Sequence, residues 1–262
     1  MLWLGAGIPV IGAVLTAVAL QLLGLSGESE PSPASAGAGT SSGSPSAAPF
    51  VVTARQENEA GCTALLREVS SAEDRAELVT GGDVNAVIRR NQGARVGELN
   101  VGLTLEGGAN SLTVTSIEIK PKSPRAVEPL AGTLVCEPNA GGEPKIQLFA
   151  DMDSPEPVFL KGKNSTQKYF KEKVVTLKPG EQVNLSATFL SEKGSREFGL
   201  LIRYVQNGKD GTVPVPAPRG GRYAVTGFSA RYGAVYEGST GGVYRRLEDP
   251  RPCPWLPASQ GC

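Results

Sequence analysis

The chain contains no histidine. Ser-His-Asp and Cys-His catalysis, the HExxH zinc helix and an imidazole proton shuttle near neutral pH are therefore all excluded. Neither charge is in excess. Lys+Arg 26 balance Asp+Glu 26, for a formal net charge of +0. Binding to a phosphate backbone needs a basic footprint, so nucleic acid is not an expected partner. Cysteine is scarce. Cys62, Cys136, Cys253 and Cys262 are the full set, and none sits in a C-x-x-C pair. Zinc, iron–sulfur and thioredoxin-type sites are thus disfavoured. No phosphate loop occurs either. No cofactor and no metal is expected.

Charge is also missing from residues 1–27. Leu2–Leu25 covers 24 residues, about 36 Å as a helix against a hydrocarbon core of ~30 Å. The run is longer than the ~7–15 apolar residues of a signal peptide and has no basic n-region. An uncleaved transmembrane anchor over 1–25 is the expectation, with a cleaved signal as the rival. The missing basic n-region has a further reading, a start placed too far downstream with a cytoplasmic domain lost before Met1. Residues 26–49 are almost wholly Ser, Gly, Ala and Pro. With no large apolar side chain they cannot offset ordering entropy, so a disordered tether is expected, with a reach of roughly 25–30 Å.

An even cysteine count behind an export segment reads as two disulfides in an oxidising compartment. Residues 26–262 are then extracytoplasmic, on a single-pass protein of the cell membrane. Cys253 and Cys262 form the natural local pair, closing a Pro-rich tail over 249–262. Cys62 would then pair with Cys136, but four cysteines allow three pairings and the sequence does not choose among them.

Between 50 and 248 the period is mostly two. Phe50-Val51-Val52-Thr53 reads as a first strand. A short helical insert is expected near 72–91, with Ala72–Val79 helical and closed by Gly81-Gly82. Asp83–Arg90 fits either a helix capped by Asp83 or a strand. Val101, Leu103 and Leu105 alternate with small or polar residues. Leu112 and Val114 do likewise, but Ile117 and Ile119 continue on the opposite phase, which suggests a β-bulge. Val183–Phe189 and Phe198–Tyr204 alternate strictly, and Asn207-Gly208 and Asp210-Gly211 are hairpin dipeptides. About nine short strands with turns every ~8–12 residues predict a mainly β domain, an immunoglobulin-like antiparallel β-sandwich, with a barrel as runner-up.

Three stretches invite a chemical reading. Ser165-Thr166-Gln167-Lys168 matches S-x-x-K, in which the lysine removes the serine proton, but no K-T-G or S-D-N partner exists. Asp151, Asp153 and Glu156 offer oxygens at alternate positions, as for Ca²⁺ or a two-carboxylate hydrolase, yet Pro155 and Glu156 break the EF-hand pattern. Lys161, Lys163, Lys168, Lys171 and Lys173 face only Glu172, a local charge of +4. That run suits an anionic envelope polymer or a solvated loop. Sequons at Asn164 and Asn184 count only in a glycosylating source.

Several segments together resemble a group of uncharacterised actinobacterial single-pass membrane proteins. They are Phe50-Val51-Val52 with Gly61-Cys62 beyond, Cys136 ahead of Gly141-Gly142, Asp153-Ser154-Pro155-Glu156-Pro157, and Tyr204–Val213. The likeness covers most of 50–235. It implies one transmembrane helix, a Ser/Gly/Pro tether and an extracytoplasmic β domain. Several members add a cytoplasmic helix-turn-helix domain, which is not in this sequence. The resemblance carries no ligand with it. The functional expectation is a membrane-anchored, non-catalytic binding or sensing domain that meets a protein partner or an anionic envelope polymer. The alternatives are a cell-envelope hydrolase using the carboxylates or Ser165 and Lys168, and a structural spacer or assembly subunit.

Overall fold

The computed structural model describes residues 49–57, 61–137, 146–239 and 241–248. The expected anchor, nearly all of the tether, and the tail with Cys253 and Cys262 lie outside the described residues. Among the described residues no helix is long and apolar enough to cross a membrane.

The described chain is mainly β. It runs β1 (Phe50–Gln56), β2 (Gly61–Ala64), α1 (Ala72–Thr80), α2 (Val84–Arg90), β3 (Ala94–Val96), β4 (Glu98–Gly107), β5 (Leu112–Pro121), β6 (Thr133–Glu137) and β7 (Ile146–Asp151). Then come the single turn α3 (Tyr169–Glu172), β8 (Val175–Leu177), β9 (Gln182–Leu190), β10 (Ser195–Gln206), β11 (Lys209–Val215), β12 (Tyr223–Thr226), β13 (Ala234–Gly238) and β14 (Tyr244–Arg246). The smaller sheet has the order β1-β4-β9-β7. The larger has the order β14-β13-β6-β2-β3-β12-β10-β5-β8, with β11 pairing β10 beyond the end of β12.

Alternation along each strand decides which face is dry. Leu99, Val101, Leu103 and Leu105 of β4 and Leu185, Ala187 and Phe189 of β9 are buried against Phe198, Leu200 and Ile202 of β10. Each of these side chains other than Ala187 contributes about 1.5–3 kcal/mol by leaving water. The phase change in β5 is the expected bulge. Ser116 lies opposite Arg203 and Val114 opposite Tyr204, which leaves Thr115 as the extra residue. The bulge lets Leu112, Val114, Ile117 and Ile119 all reach one core. Asn207 (φ 51) and Gly208 (φ 71) make the tight turn that sets Gln206 opposite Lys209.

Three features differ from the expectation. Asp210-Gly211 is not a turn but lies inside β11, opposite Val205 and Tyr204. Among the described residues there are fourteen strands, against the nine or so expected; β2, β3 and β8 have only three or four residues and little room to show a period. The pairing is not purely antiparallel, since β3–β12, β6–β13 and β7–β9 are parallel. Alternation reports a strand's faces and is blind to its direction. Asp83–Arg90, open in the sequence, resolves as α2 capped by Asp83, whose carboxylate accepts from the Ala86 N–H at 2.8 Å.

The larger sheet is covered on one face by two different layers. At its β10-β5-β8 end the smaller sheet packs on it through one apolar core. At its β6-β13-β14 end α1 and α2 cover it, with Leu78 and Val87 on Val135, Tyr236 and Tyr244. The opposite face of the β2-β3-β6 region buries Cys62, Ala94, Leu134 and Cys136 under Leu130 and Tyr232.

Cys62 and Cys136 stand directly opposite each other on β2 and β6 and form a disulfide that closes a sequence separation of 74. Replacing both by alanine in the full-length protein in mild detergent is expected to lower the unfolding free energy by about 4 kcal/mol. Urea unfolding checks it, and an unchanged midpoint would refute it.

Candidate functional site: an arginine-lined cleft

The cleft lies where the two covering layers part. A cross-strand row runs over the larger sheet as Thr63, Arg95, Val225 and Arg196, each the register partner of the next. Register partners share a face. Ala94 and Val96 belong to the apolar cluster of the other face, so alternation turns Arg95 toward the covered side. There it meets the gap between α2 and the smaller sheet and forms part of the floor of a cleft of about 300 Å³. Its side chain is held in depth, with the residue only 6% exposed. Nη1 lies 3.4 Å from the Thr63 hydroxyl. Gly61 makes room beside it. A Cβ there would come within 2.8 Å of Arg95 Nη2, and the φ of +95° also disfavours a side chain.

The apolar part of the lining includes Ile88 of α2, Leu99 and Val101 of β4, and Tyr223 of β12. The rim is cationic, with Arg89 from α2 and Arg219 and Arg222 from the loop between β11 and β12. Glu137 supplies the one carboxylate of the lining among the described residues. Its Oε1 accepts from the Tyr244 hydroxyl at 2.7 Å. Burial pushes the Arg95 guanidinium down, and the Glu137 and Glu98 charges work against that. An arginine remains protonated under any such shift.

Each wall is fixed by its own contacts. Asp74 of α1 clamps α2, accepting from Asn91 Nδ2 at 2.8 Å and from Arg90 Nε at 3.1 Å. The Asn91 amide and Arg90 hold this carboxyl below its ordinary value of 3.8, against a smaller opposing effect of burial. Arg222 donates through Nη1 to Glu197 Oε2 at 2.8 Å and through Nη2 to the Gln92 carbonyl. Tyr223 donates to the Pro216 carbonyl at 2.9 Å, and its ring stacks on Phe198. Arg219 differs from its neighbours. It is exposed, has the left-handed backbone φ 54, ψ 29, and makes no ion pair or side-chain hydrogen bond among the described residues. A non-glycine residue in this region is strained and repays a functional explanation.

The residues singled out from sequence lie elsewhere. Lys161 is half-buried and ion-paired to Glu172, while Lys163, Lys168, Lys171 and Lys173 are exposed. Tyr169 and Phe170, embedded in that run, pack on the main core and hold the loop down. Ser165 Oγ accepts from the Gln167 N–H at 3.1 Å, and neither Ser165 nor Lys168 lines the cleft. Asp153 serves the β9–β10 turn. Its carboxylate accepts from the backbone N–H groups of Glu192 (2.7 Å), Lys193 (3.0 Å) and Gly194 (3.2 Å), and the Ser191 hydroxyl lies 3.0 Å away. Asp151 accepts from the Asp153 N–H at 2.9 Å, and Glu156 is exposed. Among the described residues no group of three or more Cys, Asp or Glu could hold a metal ion. Arg89, Arg95, Arg219 and Arg222 were not singled out from sequence. The available signals were a cation at an alternating position of a short apolar strand and the segment Pro218-Arg219-Gly220-Gly221-Arg222.

Two outcomes follow from this geometry. The Asp74 carboxyl is depressed on folding, so its stabilising effect is complete above about pH 4 and fades as pH falls through the folded value. The stability gap between wild type and Asp74→Asn should therefore shrink below about pH 4, as read by thermal unfolding against pH. A constant gap would contradict it. Asp153→Ala should cost about 2–3 kcal/mol by leaving three N–H groups of the turn without their acceptor, whereas Ca²⁺ or a chelator should leave the melting temperature of the wild type unmoved. No family model, curated protein or solved structure matches the chain.

Proposed function

We propose that this protein is a membrane-tethered extracytoplasmic binding or sensing domain, non-catalytic, with the arginine-lined cleft as its ligand site. The observation that carries this reading is the lining itself. Cationic donors and apolar side chains line it together, and among the described residues the lining contains no cysteine, serine or lysine nucleophile and no pair of carboxylates. Such a surface is built to hold a ligand and offers no group to attack one. The disulfide between β2 and β6 supports an oxidising compartment. The uncharged run Leu2–Leu25 and the Ser/Gly/Ala/Pro stretch behind it supply the anchor and tether. The immunoglobulin-like reading fits the half in which the four-stranded sheet packs on β5, β10 and β12, with the helix-covered half added to the same sheet. The exposed lysines of 163–173 form a second positive surface, suited to an anionic envelope polymer.

The test has two arms. Protease added to intact spheroplasts should remove the domain of the full-length protein, and protection from protease would sink the extracytoplasmic placement. Full-length protein taken from native membranes in mild detergent should also release a small molecule on denaturation, detected by mass spectrometry. Asn85→Trp, at an exposed rim position of α2, should release much less. Equal release from both would remove the cleft as the ligand site.

A further inference from the structure

We propose that the cleft takes a small amphiphilic anion, a compact apolar body bearing one carboxylate or phosphate oxyanion, with Arg95 and Arg219 as the groups that read the charge. This rests on the cleft being the ligand site. Among the described residues the lining carries four arginines against one glutamate. Two of the four are largely matched by neighbours. Arg222 pairs with Glu197 at 2.8 Å, and Arg89 lies 3.6 Å from Asp83. Arg219 has no acidic partner among the described residues and is presented at the rim by a strained backbone. Its charge is the one most available to a ligand.

The floor adds to this field. Arg95 lies nine-tenths buried on the covered face, where charge interactions are stronger than in water. Arg196 sits on the same face two strands away, about 10 Å across the ladder. It is 5% exposed, and its Nε and Nη1 make no hydrogen bond among the described residues. Both the floor and the rim thus present an arginine side chain to the cleft. The apolar side chains of Ile88, Leu99, Val101 and Tyr223 in the lining answer the rest of the molecule. A volume of about 300 Å³ lies at the low end for ligand pockets, which suits a small molecule better than the body of a diacyl lipid or a polymer chain. Guanidinium groups match carboxylate and phosphate geometry equally well, so the shared chemistry is the oxyanion.

The test uses the full-length protein in zwitterionic nanodiscs, with 4-phenylbutyrate, its neutral counterpart 4-phenylbutanol, and inorganic phosphate as probes. Calorimetric titration should show saturable binding of 4-phenylbutyrate that weakens with added salt, and binding of the alcohol and of phosphate at least about tenfold weaker. Arg219→Ala, at an exposed position that leaves the core intact, should weaken 4-phenylbutyrate by about tenfold, and Arg219→Lys should restore part of that loss. Equal affinity for acid and alcohol, no binding of any probe, or an Arg219→Ala variant that binds as wild type would overturn the proposal. The two readings separate through Asn85→Trp. If that variant blocks the alcohol as well as the acid at equal affinities, the cleft stands as the site and the oxyanion falls. If it blocks neither, the cleft itself falls. Adding phosphatidylglycerol to the nanodiscs should leave 4-phenylbutyrate binding unchanged. Loss of binding there would assign the cleft to a lipid headgroup and overturn the small-molecule assignment.

Discussion

Ten strands joined edge to edge present more apolar surface on one face than a four-stranded sheet can cover. The face is completed by a second layer, the α1–α2 pair, set on Val135, Tyr236 and Tyr244. Two layers of different thickness and orientation on one continuous sheet leave a seam, and the sheet at that seam must be floored by whatever its register places there. In this protein the floor is Thr63 and Arg95. The cleft is thus a consequence of how the larger sheet is covered, and that arrangement holds Arg95 on its floor.

A guanidinium on such a floor is costly to bury and has to be held by its surroundings. Several features do so. Gly61 leaves space for Nη2, Thr63 lies beside Nη1, and the Glu137 and Glu98 charges offset the burial. The disulfide ties β2 to β6 next to the row that contains Arg95. On the other side the Asp74 clamp sets α2, and Arg222 pins its loop to Glu197 and the Gln92 carbonyl. Contacts converge on Arg95, while Arg219 makes no ion pair or side-chain hydrogen bond among the described residues.

Local chemistry was legible where it is local. The β5 phase slip was readable because a period of two cannot change phase without an extra residue, and Thr115 is that residue. Asn207-Gly208 was readable because few other pairs accept two left-handed conformations in succession. Asp210-Gly211 carried the same signal and misled, since β11 continues through it and places Gly211 against the Tyr204 ring. The lysine run stood out by density, yet density describes a surface and says nothing of concavity. Asp153 looked like an ion ligand and proves to be the acceptor for a turn 38 to 41 residues away. The cleft arginines were nearly silent because each is unremarkable in its own segment.

The sequence alone determined which face of each longer strand is dry, where the bulge and the tight turn fall, and which chemistries a chain without histidine cannot perform. Those properties depend on side-chain period and residue type within a few positions. Only the tertiary structure decided that β3 runs parallel to β12, that Cys62 meets Cys136, and that Thr63, Arg95, Val225 and Arg196 stand in one row. These are matters of direction and register between distant segments. Register is set by how two covering layers share one sheet, which no local pattern records.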